Sequence, residues 1–318
     1  MDKTRRNLIK AGAVIVPAIG LAPAFFGKEF IKSLLAAAIN TDHILIIIQL
    51  AGGVDGLNVV VPYNDPRYYQ YRPNIAISKN QVVPLTNDIG LNPSLSKLKA
   101  FWDQGMLAIV QGIGYPNPNY SHFASMHKWQ TGDPVGNLFN DGWLGRYLAT
   151  LGTNLSTDFP GIAVNSNLPF ELYSAKVSVP VVSSIAGYQI QSDTNYPDKS
   201  SQRLKDVVDL FDAAPKTASF TGQLDSMTQL AQKSVQALSQ ADHSYVAGAT
   251  YPNNSFGSSL RLLSEAIVGN LGLRLGHVTL GGFDTHSNED ATLTTQLTIL
   301  ADGISAFYQD LKVHGLDK

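Results

Sequence analysis

The sequence predicts an α/β fold around a mostly parallel, doubly wound sheet, and two observations support this. Residues 44–50 form an aliphatic, largely β-branched run that ends just before Gly52 and Gly53. Such a run is typical of a central parallel strand buried on both faces. Strand-like and helix-like segments then alternate along the chain, which is the order found in βαβ units.

The first predicted βαβ unit spans residues 44–110. Asn92 is a helix cap with Pro93 at the first helical position, and Gly105 is placed to end that helix. The short aliphatic run 107–110 follows and predicts a second buried strand. The loop after it, rich in Gly, Pro, Asn and aromatic residues, is therefore expected at the carboxyl edge of the sheet, where such folds bind ligands.

Later segments predict further alternation. In chain order we expect a helix from about 142, short strands near 162–164 and 177–182, a helical region over 201–247, a helix at about 256–271, a strand at 277–280 and a final amphipathic helix at about 291–313.

The N-terminus has the pattern of a twin-arginine export signal. Arg5 and Arg6 precede a mild apolar stretch over 11–26, and small residues at 36–38 offer a cleavage site. The stretch is too short and too rich in Gly and Pro for a membrane span, although an amphipathic helix or a retained anchor stays an alternative. We expect residues 1–38 to be the signal, residues 39–318 to be one α/β domain, and the protein to be periplasmic or secreted, with the twin-arginine translocase as its export partner.

Charge argues against nucleic acid as a partner. The whole chain carries a formal net charge of −2, and removal of residues 1–38 takes away six cations and two anions, which leaves −6. Nucleic-acid binding needs a basic surface. The chain has no cysteine, so disulfides are excluded.

Two predicted strand-end loops share a design. Asp55 follows the first strand past Gly52 and Gly53, and Asp284 follows the last strand past a second glycine pair, with His286 two residues further on. A carboxylate and an imidazole suit Zn²⁺ or a similar divalent ion. The pattern equally fits a turn in which Asp284 caps the next segment and His286 bonds locally.

Ser121 and His122 are the candidates for catalysis. Neighbouring side chains in an extended segment point to opposite sides, so His122 is a poor base for Ser121. A serine beside a bound metal needs no such base, because the metal lowers the pKa of the hydroxyl. Ser121 could also simply cap a helix that begins near His122.

Six stretches together resemble the exported bacterial family known as domain of unknown function 1501. They run in order along the chain: the twin-arginine start, residues 49–63, residues 91–93 with their helix, residues 120–123, residues 142–146 and residues 280–286.

This family is similar to the alkaline phosphatase and sulfatase superfamily, which implies a three-layer α/β sandwich with a metal site at the strand ends. On that resemblance Asp55 is the metal ligand after the first strand, and Asp284 and His286 are an Asp/His metal pair. Ser121 is placed near the nucleophile position. The implied cofactor is a divalent metal, Zn or Ca.

The resemblance predicts a metal-dependent hydrolase of a small anionic phosphate or sulfate ester. Members of the family continue with further metal-ligand motifs, whereas this sequence ends at Lys318, so we expect a C-terminally incomplete domain. The alternative is a non-catalytic envelope protein that binds a ligand or partner on the same fold.

Overall fold

The computed structural model describes residues 43–135, 139–151, 159–184 and 233–317, together with residues 188, 206 and 209. The predicted export signal at 1–38 and most of the helical region predicted at 201–247 lie outside the described residues.

The described strands are β1 (Leu45–Leu50), β2 (Val60–Val61), β3 (Val83–Pro84), β4 (Gly90–Leu91), β5 (Gly161–Val164) and β6 (Leu275–Leu280). The α-helices named below are α1 (Gly56–Val59), α2 (Pro66–Tyr71), α3 (Lys99–Asp103), α4 (His122–Thr131), α5 (Trp143–Thr150), α6 (Ser255–Val268) and α7 (Glu289–Val313). Two 3-10 helices cover Pro93–Leu98 and Phe170–Leu172.

A parallel three-stranded sheet in the order β1-β6-β5 organises the fold. The register joins Leu45 to Leu275 and Leu50 to Leu280, so β1 and β6 pair over their full lengths and end level with each other. Among the described residues β6 is the central strand and is almost wholly buried, while β1 is half-buried at the sheet edge. The prediction of an α/β fold with a mostly parallel sheet is confirmed.

The prediction of a strand at 107–110 was wrong, and so was the prediction of a βαβ unit that includes it. Residues 107–110 do not form a strand; Leu107 and Ile109 pack on the core, while Val110 is exposed. The described partner of β1 is β6, more than two hundred residues away in the sequence. A short aliphatic run specifies burial but not which strand it pairs with. At 177–182 only an isolated bridge forms, between Ala163 and Val181.

Helices cover both faces of the sheet. On one face Val278 and Leu280 of β6 belong to the main core with Leu260 and Leu263 of α6 and Leu297 of α7. On the other face a smaller cluster packs Leu275 and Ala163 against Leu144 and Leu148 of α5. Successive side chains of a strand point to opposite faces, so alternate residues of β6 pack into the two clusters.

A small antiparallel sheet has the order β2-β4-β3, and Val61 of β2 packs with Tyr68 of α2. The buried Tyr68 of α2 donates its hydroxyl proton to Asn58 Oδ1 at 2.6 Å and accepts the backbone N–H of Ile77 at 2.8 Å. These bonds hold α2 in place, and Arg72 is the residue that caps its C-terminus.

A buried polar pair lies on the face of the sheet that α5 covers. His277 of β6 is fully buried, and its Nε2 lies 2.8 Å from Glu171 Oε1 in the second 3-10 helix. Burial is the largest single influence on the pKa of Glu171 and would raise it, but the hydrogen bonds to the carboxylate and the charge of His277 together outweigh burial, so the pKa is lowered. The pair therefore ties the 3-10 helix to the central strand.

A second buried polar group anchors α7. Asp310 is fully buried and accepts the hydroxyl of Tyr251 at 2.6 Å and the backbone N–H of Gly248 at 2.7 Å, as well as the hydroxyl of Tyr245.

Glu265 of α6 lies in the same region, paired with Arg261 at 3.0 Å. Burial is the main cause that raises the pKa of Glu265 to about 7, and the Arg261 charge offsets it only in part.

The raised pKa of Glu265 predicts a pH-dependent stability. Folded Glu265 keeps its proton up to a pH of about 7, whereas the unfolded carboxyl loses it near 4.5. Stability therefore falls as the pH rises through that window and does not return above it. We expect Glu265→Gln to raise the free energy of unfolding by roughly 1–3 kcal/mol at about pH 8 and far less at about pH 5, from about 1.4 kcal/mol per pKa unit. Urea unfolding at the two pH values measures this, with the exposed Asp88→Asn as control.

Candidate functional site at the carboxyl edge of the sheet

The loops after β1 and β6 are joined directly. The N–H of Ala51 donates to the carbonyl of Leu280 at 2.9 Å, and the N–H of Phe283 donates back to the carbonyl of Ala51 at 3.3 Å. Gly52 has φ +115, and a Cβ on it would lie 2.5 Å from the backbone nitrogen of Asp284. Glycine is required there, because any side chain would separate the two loops.

Asp284 lies between two imidazoles. Its Oδ1 is 3.4 Å from His122 Nε2 and 3.1 Å from His286 Nε2. The three side chains are 54%, 55% and 86% exposed respectively, so the group is open to solvent. The structure thus brings together Asp284, His286 and His122, which the sequence had placed in two separate motifs.

The N-terminus of α4 places His122 at this site. The ring of His122 packs against Gly53, which has φ +83, and a Cβ on Gly53 would lie 2.8 Å from His122 Cε1. The preceding loop is held by Tyr115, whose hydroxyl oxygen accepts the N–H of Asn119 at 2.7 Å. His122 therefore contacts the loop after β1 through Gly53 and the loop after β6 through Asp284.

Ser121 is the N-cap residue of α4, but its side chain makes no capping hydrogen bond. Its own N–H donates to Asn119 Oδ1 at 2.8 Å, and the residue is exposed. The alternative had placed a helix near His122 with Ser121 as its cap; the helix does begin at His122, but the Ser121 side chain does not cap it. The ring of His122 is directed at Asp284 and Gly53, and within the described residues no hydrogen bond joins it to the Ser121 hydroxyl.

Asp55 is engaged by an arginine. Its Oδ1 accepts the N–H of Leu57 at 3.2 Å as the cap of α1, and its Oδ2 forms an ion pair with Arg72 Nη2. The same Arg72 nitrogen lies 3.8 Å from Glu289 Oε1 at the start of α7. The side chains of Asp55, Arg72 and Glu289 are 18%, 18% and 22% exposed.

The donor types around Asp284 fit one divalent ion, and those around Asp55 do not. A carboxylate flanked by imidazoles is a usual zinc ligand set. Within the described residues, however, no group of three or more His, Cys, Asp or Glu side chains is already arranged to hold a metal ion. Asp55 differs because a guanidinium already neutralises it, and a second cation there would have to displace that group.

Sequence reasoning missed a row of polar residues across the sheet, one step below the strand ends. Gln49 of β1 pairs in register with Thr279 of β6, and their side chains lie 3.5 Å apart. Asn165, just after β5, lies 3.4 Å from the Thr279 hydroxyl on the other side. The signal was visible, since Gln49 and Thr279 each come one residue before the end of a strand and Asn165 directly follows one, but only the strand order shows that they are neighbours.

The family assignment rests on nearly the whole chain and not on the candidate site alone. A family model described as a protein of unknown function, DUF1501, matches residues 42–318. The chain belongs to the DUF1501 family. No curated protein and no solved structure matches this chain. In the described part of this DUF1501 protein, no helix has the length and apolar character needed to cross a membrane.

Gly53→Ala tests the packing of the loop after β1 against His122. Alanine is strained at φ +83, and its methyl group would push the imidazole away from Asp284. We expect a loss of about 1–2 kcal/mol in the free energy of unfolding, measured by chemical denaturation. Gly56→Ala is the matched control, because nothing lies within 4 Å of a Cβ there. Equal stability of the two variants would contradict the close packing.

Proposed function

We propose that this protein is a divalent-metal-dependent hydrolase of phosphate or sulfate esters, with an alkaline-phosphatase-like arrangement of its site. The observation that carries the proposal is the position of Asp284 between His122 and His286, at the carboxyl ends of two paired parallel strands. Ligands of such folds bind at this edge.

The spacing of the three side chains supports a metal role. Two ligands of a tetrahedral zinc ion lie about 3.3 Å apart, since each bond is roughly 2.0–2.1 Å long. The carboxylate–imidazole separations of 3.4 and 3.1 Å match that value. Two imidazoles favour Zn over Ca, which prefers oxygen ligands.

When bound, the metal would supply Lewis-acid polarisation of the ester oxygen. The residues of the chain provide the rest of the site. Asp284 and His286 would hold the ion, and His122 would complete the set from the other side. Gly52 and Gly53 leave room for this approach, because they keep side chains out of the space between the two loops.

In this proposal the N-terminus of α4 receives the anionic part of the ester. Its first backbone N–H groups and the Ser121 hydroxyl make no capping bond with each other. A helix N-terminus favours negative charge, so an ester oxygen would bind there next to His122. Ser121 is our proposed nucleophile, because it is the exposed N-cap residue of this helix.

Zinc binding and turnover test this proposal on the full chain. We expect about one zinc ion per chain by calorimetry and elemental analysis, and hydrolysis of an aryl phosphate or an aryl sulfate in its presence. Asp284→Asn and His286→Ala should weaken zinc binding by about a hundredfold or more, because even the loss of an outer-shell partner costs 10–100-fold. His243→Ala is the matched control, an exposed histidine outside the site.

The outcomes separate the two candidate functions. Zinc binding and turnover that both survive in Asp284→Asn and His286→Ala would overturn the metal role. Zinc binding lost in these variants, with no turnover of either ester by the parent protein, would instead favour the non-catalytic binding protein on the same fold.

We also propose that the protein is exported by the twin-arginine route to the periplasm or beyond. Replacing Arg5 and Arg6 together by lysine should leave the chain in the cytoplasm, because the route reads the arginine pair itself. Lys32→Gln, which removes a charge elsewhere in the predicted signal, should export normally. Cell fractionation with an antibody measures both, and export of the double lysine variant would contradict the proposal.

A further inference from the structure

Arg72 connects the two loops that carry the candidate site. Its Nη2 pairs with Asp55 Oδ2, in the loop after β1, and reaches to 3.8 Å from Glu289 Oε1, at the first residue of α7. These three side chains are mostly buried, unlike the surface pair of Arg67 and Asp65, in which the arginine side chain is 75% exposed. Partly buried charge pairs are screened less by solvent than exposed ones, so this link is the firmer of the two.

Both carboxylates are close in sequence to the site. Asp55 comes two residues after Gly53, whose backbone packs against the His122 ring, and Glu289 comes three residues after His286. The separation of Asp55 from Glu289 therefore influences the separation of the two loops around Asp284.

The guanidinium of Arg72 also lies over the ring of Tyr68. Its guanidinium carbon lies 6.0 Å from the centre of the Tyr68 ring, and Tyr68 is fixed by its bonds to Asn58 and Ile77. A guanidinium is a planar cation that presents several N–H donors. Arg72 thus lies as a cation at a fixed place between the two loops.

We propose that Arg72 is a positioning residue for the candidate metal site, and that Asp55 is its counter-ion instead of a metal ligand. Arg72 holds Asp55 and Glu289 together, which keeps the His122 ring, packed on Gly53, opposite Asp284. This inference rests on the proposed function for the role of Asp284 and His286 as ligands, but the loop-positioning part does not need a metal.

The first test uses the metal-free protein. The imidazole NMR signals of His122 and His286 are compared at one fixed pH in the parent chain, Arg72→Met, Arg72→Lys, Asp55→Asn and the control Arg67→Met. We expect Arg72→Met and Asp55→Asn to shift the His122 signals in the same direction, Arg72→Lys to recover part of the change, and Arg67→Met to leave them unchanged. His122 signals unaffected in folded Arg72→Lys and Asp55→Asn would overturn the proposal.

The second test uses zinc affinity and the visible spectrum of the Co²⁺-loaded protein. Arg72→Met and Asp55→Asn should each weaken zinc binding about tenfold, the size expected for an outer-shell partner. The double variant should be no weaker than either single one, because both remove the same ion pair. The number of ions bound and the Co²⁺ band positions should stay unchanged.

The results distinguish this inference from the proposed function. A lower ion count or altered Co²⁺ bands in Asp55→Asn, together with tighter binding in Arg72→Met, would show that Asp55 is a ligand for which Arg72 competes, and would overturn the inference. If the parent chain binds no zinc while the His122 signals still respond to Arg72, the proposed function fails and the positioning role of Arg72 stands.

Discussion

The pairing of β1 with β6 is the constraint on which the rest of this structure depends. These strands are separated by more than two hundred residues, yet they pair in parallel over six residues and end level with each other. Backbone hydrogen bonds continue past the strand ends, from Ala51 to Leu280 and from Phe283 back to Ala51. Asp284 and His286 belong to one of the two loops joined in this way, and His122 packs against both loops through Gly53 and Asp284.

Glycine makes that junction possible. At Gly52 and Gly53 the chain adopts positive φ angles, and the space a side chain would fill is taken by the backbone of Asp284 and by the ring of His122. A site assembled from two loops and a helix end needs such close approach, because a side chain at either glycine would push these segments apart. The charged link of Asp55, Arg72 and Glu289 then joins the same two loops a little further along each.

Buried ionisable groups elsewhere show how the fold treats charge. One carboxylate oxygen of Glu171 is hydrogen-bonded to His277, and the pKa of Glu171 is lowered, whereas Glu265 pairs with Arg261, whose side chain is about half exposed, and the pKa of Glu265 is raised. Asp310 accepts three hydrogen bonds that tie α7 to the segment before α6. The contrast between the two glutamates follows from their partners, since both are buried to a similar extent.

The sequence alone determined the α/β class, β1, β6 and the main helices, because aliphatic runs, capping residues and glycine pairs are local signals. It also placed Asp284 and His286 in the loop after β6. The sequence failed at 107–110, where it correctly indicated that some of the residues are buried but wrongly predicted that they form a strand. Tertiary structure decided that β6 lies beside β1, that His122 faces Asp284 and that Asp55 is bound by Arg72. These are contacts between distant parts of the chain, and no local pattern encodes the partner of a strand or the counter-ion of a carboxylate.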